Sequence, residues 1–222
     1  MWRLLQFPLC PFSRKVRLVL AEKGVGYDLV RENPWERRDE FADLNPASQT
    51  PVMTGDDGAV LIDSAVICEF FEETVEAAPM LPRDALGRAE VRRLAAWFDQ
   101  RLHREVVAPL MHERMRKRLV ERAAPDTNVL RQAMRVANTH LDYLDYLLDH
   151  RRWLAGPTMS LADLAAAAQI SVADYLGGID WRGHQQTADW YAGLKSRPSF
   201  RPLLVERMEV IQPPTHYDKV DF

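Results

Sequence analysis

The spacing of apolar residues changes character once along this chain. Through about residue 75, short apolar runs alternate with stretches of helical spacing; beyond residue 84 only helical spacing remains. Residues 3–7 are mostly apolar and stop at Pro8 and Pro11, which predicts a short strand. Val16, Val19 and Leu20 form one stripe, and Gly24 suits its stop. Ser13 can cap its start by accepting a hydrogen bond from a free N–H of the first turn, so a helix is expected over residues 13–23. Residues 27–31 read as a second strand, and 36–44 as a short helix ended by Asn45-Pro46. Residues 51–54 and 59–62 flank Gly55-Asp56-Asp57-Gly58 as the arms of a hairpin would. Residues 64–73 read as a helix with Val66, Ile67 and Phe70 turned inward. The order βαβαββα describes a small α/β unit.

Pro79 and Pro82 mark a linker, and the pattern after it is helical. Val91, Leu94, Ala95, Phe98 and Leu102 recur at helical spacing in a long segment that Pro109 is expected to kink. Leu130, Met134, Ala137, Leu141, Leu144 and Leu148 form a buried stripe. Residues 161–176 are apolar almost all round, as a central buried helix would be, and 187–194 and 202–208 suggest further helices. Residues 211–222 have no core periodicity, and Pro213-Pro214 is expected to project them in an extended form. The expected organisation is an α/β domain over 1–77, an all-α domain over 84–208 and a tail over 209–222.

Composition narrows the function classes. A net charge of −3 provides no global field toward nucleic acid. No apolar run is long enough for a bilayer span, and Arg3, Gln6 and Pro8 break any leader-like apolar core, so no membrane insertion is expected. Cys10 and Cys68 make no disulfide framework and read as reduced thiols in the cytoplasm. His112-Glu113-Arg114-Met115-Arg116 lacks the second histidine a zinc helix needs, so no metal is expected. The basic run Arg114, Arg116, Lys117, Arg118 and Arg122 reads as a solvated helix face.

Three short signals carry candidate chemistry: Cys10-Pro11-Phe12-Ser13, Thr50-Pro51-Val52 and Asp63-Ser64. Asp63-Ser64 stands at a predicted helix start, where free N–H groups and the helix dipole favour an anion. Cys10 precedes another, where a thiolate is favoured. Farther on, Ser160 and Asp163 have the spacing of a capping box, a folding device for the most buried helix.

With Gly156-Pro157-Thr158-Met159-Ser160-Leu161-Ala162-Asp163, these signals resemble the glutathione S-transferase superfamily over the chain up to about residue 208. The resemblance implies a glutathione S-transferase fold, with a thioredoxin-like N-terminal domain and an all-helical C-terminal domain, in a homodimer. It implies a cis peptide before Pro51, with the Thr50 backbone facing the cysteinyl part of glutathione, and Asp63 and Ser64 at its γ-glutamyl carboxylate. Cys10 and Ser13 are the candidates for thiol chemistry, by mixed disulfide or by a hydrogen bond to a glutathione thiolate. Asn45-Pro46-Ala47-Ser48-Gln49-Thr50-Pro51 departs from the usual Asn-Pro-x-Gly-Lys-Val-Pro: the glycine is Ser48 and the lysine, a cation near a glutathione carboxylate, is Gln49.

Pro34-Trp35-Glu36-Arg37-Arg38 and the end His216-Tyr217-Asp218-Lys219-Val220-Asp221-Phe222 resemble a narrower family, the glutathione-transferase-like division proteins of alphaproteobacteria that bind the tubulin homologue FtsZ. Trp and Arg are also the residues enriched at binding hot spots. This resemblance implies a division-site protein that binds and curves or bundles FtsZ filaments, with no bound cofactor and no transferase activity. Trp35, Arg37, Arg38, Tyr217, Asp218, Asp221 and Phe222 are then the expected contacts. The alternative is a glutathione S-transferase or glutathione-dependent thiol oxidoreductase.

Overall fold

The computed structural model describes residues 1–208 and 210–220. They divide into two compact units, Met1–Met80 and Leu81–Phe222.

In the first unit, β1 (Trp2–Gln6) leads through α1 (Pro11–Lys23) to β2 (Tyr27–Arg31), and then come α2 (Asp39–Leu44), β3 (Val52–Gly55), β4 (Val60–Ile62) and α3 (Ser64–Thr74). The sheet order is β2-β1-β3-β4. The α1 crossover makes β1 and β2 parallel, whereas β3 runs antiparallel to both of its neighbours. Leu4 faces Leu29 on one side and Met53 on the other. Leu5, Val52 and Phe41 form a buried cluster under α2. Gly24 closes α1 in the left-handed conformation, φ 70°, which glycine adopts without a Cβ clash. From the last turn of α1, buried Lys23 donates to the carbonyls of Val75 and Ala77 and pairs with Glu72 at 2.9 Å, tying off the end of α3.

Three details differ from the pattern-based expectation. Helix α1 starts at Pro11, whose missing N–H costs nothing in the first turn, so Cys10 takes the cap position and Ser13 lies inside the helix, fully buried. Residues 36–38 stay out of α2: Glu36 N–H closes a turn onto Asn33, and Arg37 is left-handed at φ 47°. On α3 the inward phase is Ser64, Ile67, Cys68 and Phe71, which leaves Val66 52% exposed. Phe70 stands at the rim, edge-on to Trp2.

The second unit opens with α4 (Ala85–Ala96), capped by Asp84, whose carboxylate accepts from Gly87 N–H at 2.7 Å. The helix continues as a π-wound stretch, Trp97–Val107, a short α5 (Ala108–Met111) and a second π stretch, His112–Glu121. Pro109 does not end this helix; it sits where the winding changes. A proline cannot donate in α register and crowds the carbonyl four residues back, and the wider turn, with Ala108 N–H reaching His103, relieves both. On α6 (Thr127–His150) the buried stripe runs through Leu130, Ala133, Ala137, His140, Leu141, Leu144 and Leu147, with Met134 and Leu148 at its margin. Helix α7 (Leu161–Tyr175) is buried along its whole length, and α8 (Gln185–Lys195) and α9 (Arg201–Val205) follow. Among the described residues no helix is long and apolar enough to cross a membrane.

The start of α7 depends on Asp163. Its carboxylate accepts from Ser160 N–H and Oγ–H, each at 2.9 Å, from Leu154 N–H at 3.0 Å and from Trp190 Nε1–H at 3.1 Å. Replacing Asp163 with Ala leaves buried donors unpaired and is expected to cost about 3 kcal/mol of unfolding free energy, read by denaturant titration. A loss below about 1 kcal/mol would show that the cap does not hold the helix.

Candidate functional sites

In the first unit the N-terminal ends of α1 and α3 and the turn before β3 enclose a cleft of about 160 Å³. Phe12, Asn45, Gln49, Thr50, Pro51, Asp63 and Ser64 are among its lining residues. The structure thus brings together Thr50, Pro51, Asp63 and Ser64, and the peptide before Pro51 is cis. Asp63 caps α3, accepting from Ala65 N–H at 2.7 Å from a left-handed backbone, φ 74°. Cys10 and Ser13 are not in the wall. The Cys10 thiol donates to the Thr50 carbonyl at 3.3 Å, occupying a group expected to face glutathione. Ser13 Oγ is buried with no hydrogen-bond partner among the described residues, so it does not cap α1.

Asn45 orders the turn before Pro51 by donating to Gln49 C=O at 2.8 Å and accepting from Ala47 N–H at 3.1 Å. Ser48 is left-handed there, φ 51°, where the resembling pattern has glycine, and a side chain in that region costs about 1 kcal/mol. Among the described residues no lysine or arginine lines the cleft, and the one charged residue there is acidic. It can receive an anion through the N–H groups of α3 but offers no cationic partner. Asn45 and Phe12 are wall residues that sequence reasoning missed. Asn45 was visible as a helix terminator and as the start of the Asn-Pro pattern, with no role in a cleft assigned to it.

A second candidate lies in the segment after β2. Trp35 is half-buried, edge-on to Phe7 with ring centroids 5.1 Å apart. Arg37 is exposed. Arg38 is not free: its Nε and Nη2 donate to the two oxygens of Glu32 at 3.3 and 2.6 Å. That hydrogen bonding, and the charge of Glu32, raise the Arg38 pKa further above its ordinary value.

The expectation of a projecting tail is corrected over the described residues. Tyr217 is fully buried, edge-on to Tyr175 at 5.0 Å, with its hydroxyl donating to Leu203 C=O. Tyr175 in turn donates to Ile211 C=O at 2.8 Å and accepts from Met208 N–H at 2.9 Å. Asp218 pairs with Arg207 at 2.8 Å. The apolar bulk of Tyr217, with a partner for its hydroxyl, outweighs the extended preference of the two prolines. Asp221 and Phe222 lie outside the described residues.

His216 Nε2 lies 2.8 Å from Oδ1 of buried Asp174, which also accepts from Trp181 Nε1–H. Hydrogen bonding to Asp174 raises the His216 pKa above 6.5, with partial burial and the charges of Lys195 and Lys219 opposing. The protonated ring therefore stabilises the docked tail fully below the ordinary value, and this contribution is lost as pH rises through the raised one. Amide exchange over residues 215–219, corrected for intrinsic rates, is expected to be faster at about pH 8.5 than at about pH 6, and His216→Gln should abolish the difference. Exchange independent of pH would show that this ion pair does not hold the tail.

In the second unit a half-buried Trp97 donates to His140 Nδ1 at 3.3 Å, His140 Nε2 faces Glu105 at 3.0 Å, and Arg101 bonds Glu105 while lying 4.6 Å over the Trp97 ring. Burial lowers the His140 pKa, in keeping with a neutral ring donating from Nε2. Tyr143 packs on Trp97 at 4.9 Å and meets Arg93 through its hydroxyl. These aromatics also went unnoticed in the sequence, because two helices must pack before they meet. The basic run is partly structural: Arg114 donates to Leu176 C=O, and Lys117 pairs with Glu113 at 2.7 Å.

Comparison with known proteins agrees with this geometry. The family model described as glutathione S-transferase, N-terminal domain, matches residues 9–74. FtsZ-localized protein A of Caulobacter vibrioides is 45% identical over 219 residues, covering 97% of this chain and 96% of that protein. Among solved structures, a glutathione S-transferase from Rhodospirillum rubrum superposes with a TM-score of 0.97 at 45% identity, covering 100% of both chains. FzlA from C. crescentus superposes with a TM-score of 0.96 at 45% identity, covering 100% of this chain and 99% of that one.

Proposed function

We propose that this chain, which belongs to the glutathione S-transferase family, is a cytoplasmic, division-site protein that binds FtsZ filaments and curves or bundles them without transferase chemistry. The observation that carries the reading is the Trp35 segment, a half-exposed indole beside an exposed arginine, in a chain that resembles FtsZ-localized protein A along nearly its full length. Tryptophan and arginine at a surface are typical anchors of a protein interface. The cleft supports the absence of transferase chemistry: Ser13 is buried and is not among its lining residues, and Cys10 is engaged with Thr50. Purified protein is expected to pellet with GTP-assembled FtsZ, and Trp35→Ala to lose pelleting while still folding cooperatively. Equal pelleting of the variant would remove Trp35 from the interface.

The cleft itself favours a second reading, a glutathione-dependent enzyme, because Thr50, cis-Pro51, Asp63 and Ser64 converge there. Retention on glutathione resin that is lost on Ser64→Ala would support it.

We further propose a homodimer in which the first unit of one copy meets the second unit of the other. Each unit has a suitable patch: exposed Val60, Ile62 and Val66 in the first, and Trp97 and Tyr143 with Arg93 and Arg101 in the second. Two partner sites per dimer raise apparent affinity through effective concentration and give a route to bundling. Val66→Asp is expected to sediment as a monomer that still binds filaments but no longer bundles them. A monomer that bundles as well as the wild type would exclude bivalence.

A further inference from the structure

We infer that Glu32 and Arg38 form a clamp that positions the Trp35 segment, so that Arg38 acts by bracing the turn while Trp35 and Arg37 make the partner contact. This rests on the partner-binding reading above and assigns different work to two adjacent arginines.

Glu32 continues the strand ladder beyond β2, its N–H donating to Gln6 C=O at 2.9 Å. Its side chain is 1% exposed, whereas that of Arg38 is 49% exposed. A carboxylate so buried needs a partner, and the forked guanidinium supplies two hydrogen bonds at once. The clamp joins the two ends of the segment. Inside it, Asn33 accepts from Trp35 N–H at 3.2 Å and donates to Glu36 at 2.8 Å, and Glu36 N–H returns to Asn33 C=O. Trp35 rests on Phe7, itself buried in the first unit. Arg37, left-handed at φ 47°, makes no hydrogen bond or ion pair among the described residues. A non-glycine residue stays in that conformation only where its neighbours hold it.

The result is a braced turn that displays an indole and one unengaged cation. It suits a protein surface with an apolar pocket beside carboxylates. Bracing lowers the ordering cost of binding, so its loss should weaken affinity while leaving both contact residues in the chain.

The test is a double-mutant cycle on filament binding. Wild type, Glu32→Gln, Arg38→Lys, the double variant and Trp35→Ala are titrated against GTP-assembled FtsZ, with tryptic nicking after Arg37 followed by mass spectrometry in the same samples. Lysine keeps the charge of Arg38 but not its fork. Each single variant is expected to bind about fivefold more weakly and to be nicked faster, with the double variant no worse than either. Wild-type binding by Glu32→Gln, or losses that multiply in the double variant, would overturn the clamp and make Arg38 a direct contact. Should Glu32→Gln fail to fold, unchanged nicking and binding in Arg38→Lys overturns the clamp by itself. If Trp35→Ala also binds normally, the partner reading falls with it; if only Trp35→Ala fails, the clamp alone is wrong.

Discussion

The second unit depends on one buried carboxylate. Asp163 accepts hydrogen bonds from Leu154, Ser160 and Trp190, three separate segments, at the first turn of a helix that has no exposed face. A helix end buried this deeply has N–H groups that water cannot reach, so a side chain must satisfy them. Once α7 is placed, Asp174 near its far end holds Trp181 and His216, and Tyr175 supports the chain on either side of Glu209. The same helix thus organises both the core of this unit and the docking of its C-terminal segment.

In the first unit the same physics appears with the opposite use. The end of α3 that Asp63 caps faces an open cleft, so its remaining N–H groups are available to a ligand. Cis-Pro51 and Ser64 line this cleft together. Cys10 bonds inward to Thr50, Ser13 is enclosed, and Gln49 is among the lining residues.

The Trp35 segment is a short loop whose shape is fixed before any partner is met. Its shape comes from an ion pair at its neck, an asparagine inside it and an aromatic contact beneath it. None of these groups needs to touch a partner to matter, since a contact residue held in one conformation gives up little entropy on binding.

The strands, the helix periods and the capping box could be read from the chain, because each is local and follows a spacing that sequence displays, whereas the cis proline and the four cleft residues came only from resemblance to a family. The helix phase of α3, the inward position of Ser13 and the start of α1 at Pro11 could not, since small shifts in a cap turn every following side chain. Nor could the pairing of Glu32 with Arg38, of Trp97 with His140, or of His216 with Asp174. The tail misled most: two prolines argue for extension locally, yet a tyrosine that finds a buried slot decides the outcome. Sequence by itself determined the architecture and the places where chemistry could occur. Tertiary structure decided which of those side chains are exposed, engaged or enclosed, because burial and ion pairing are properties of residues distant along the chain that only packing brings together.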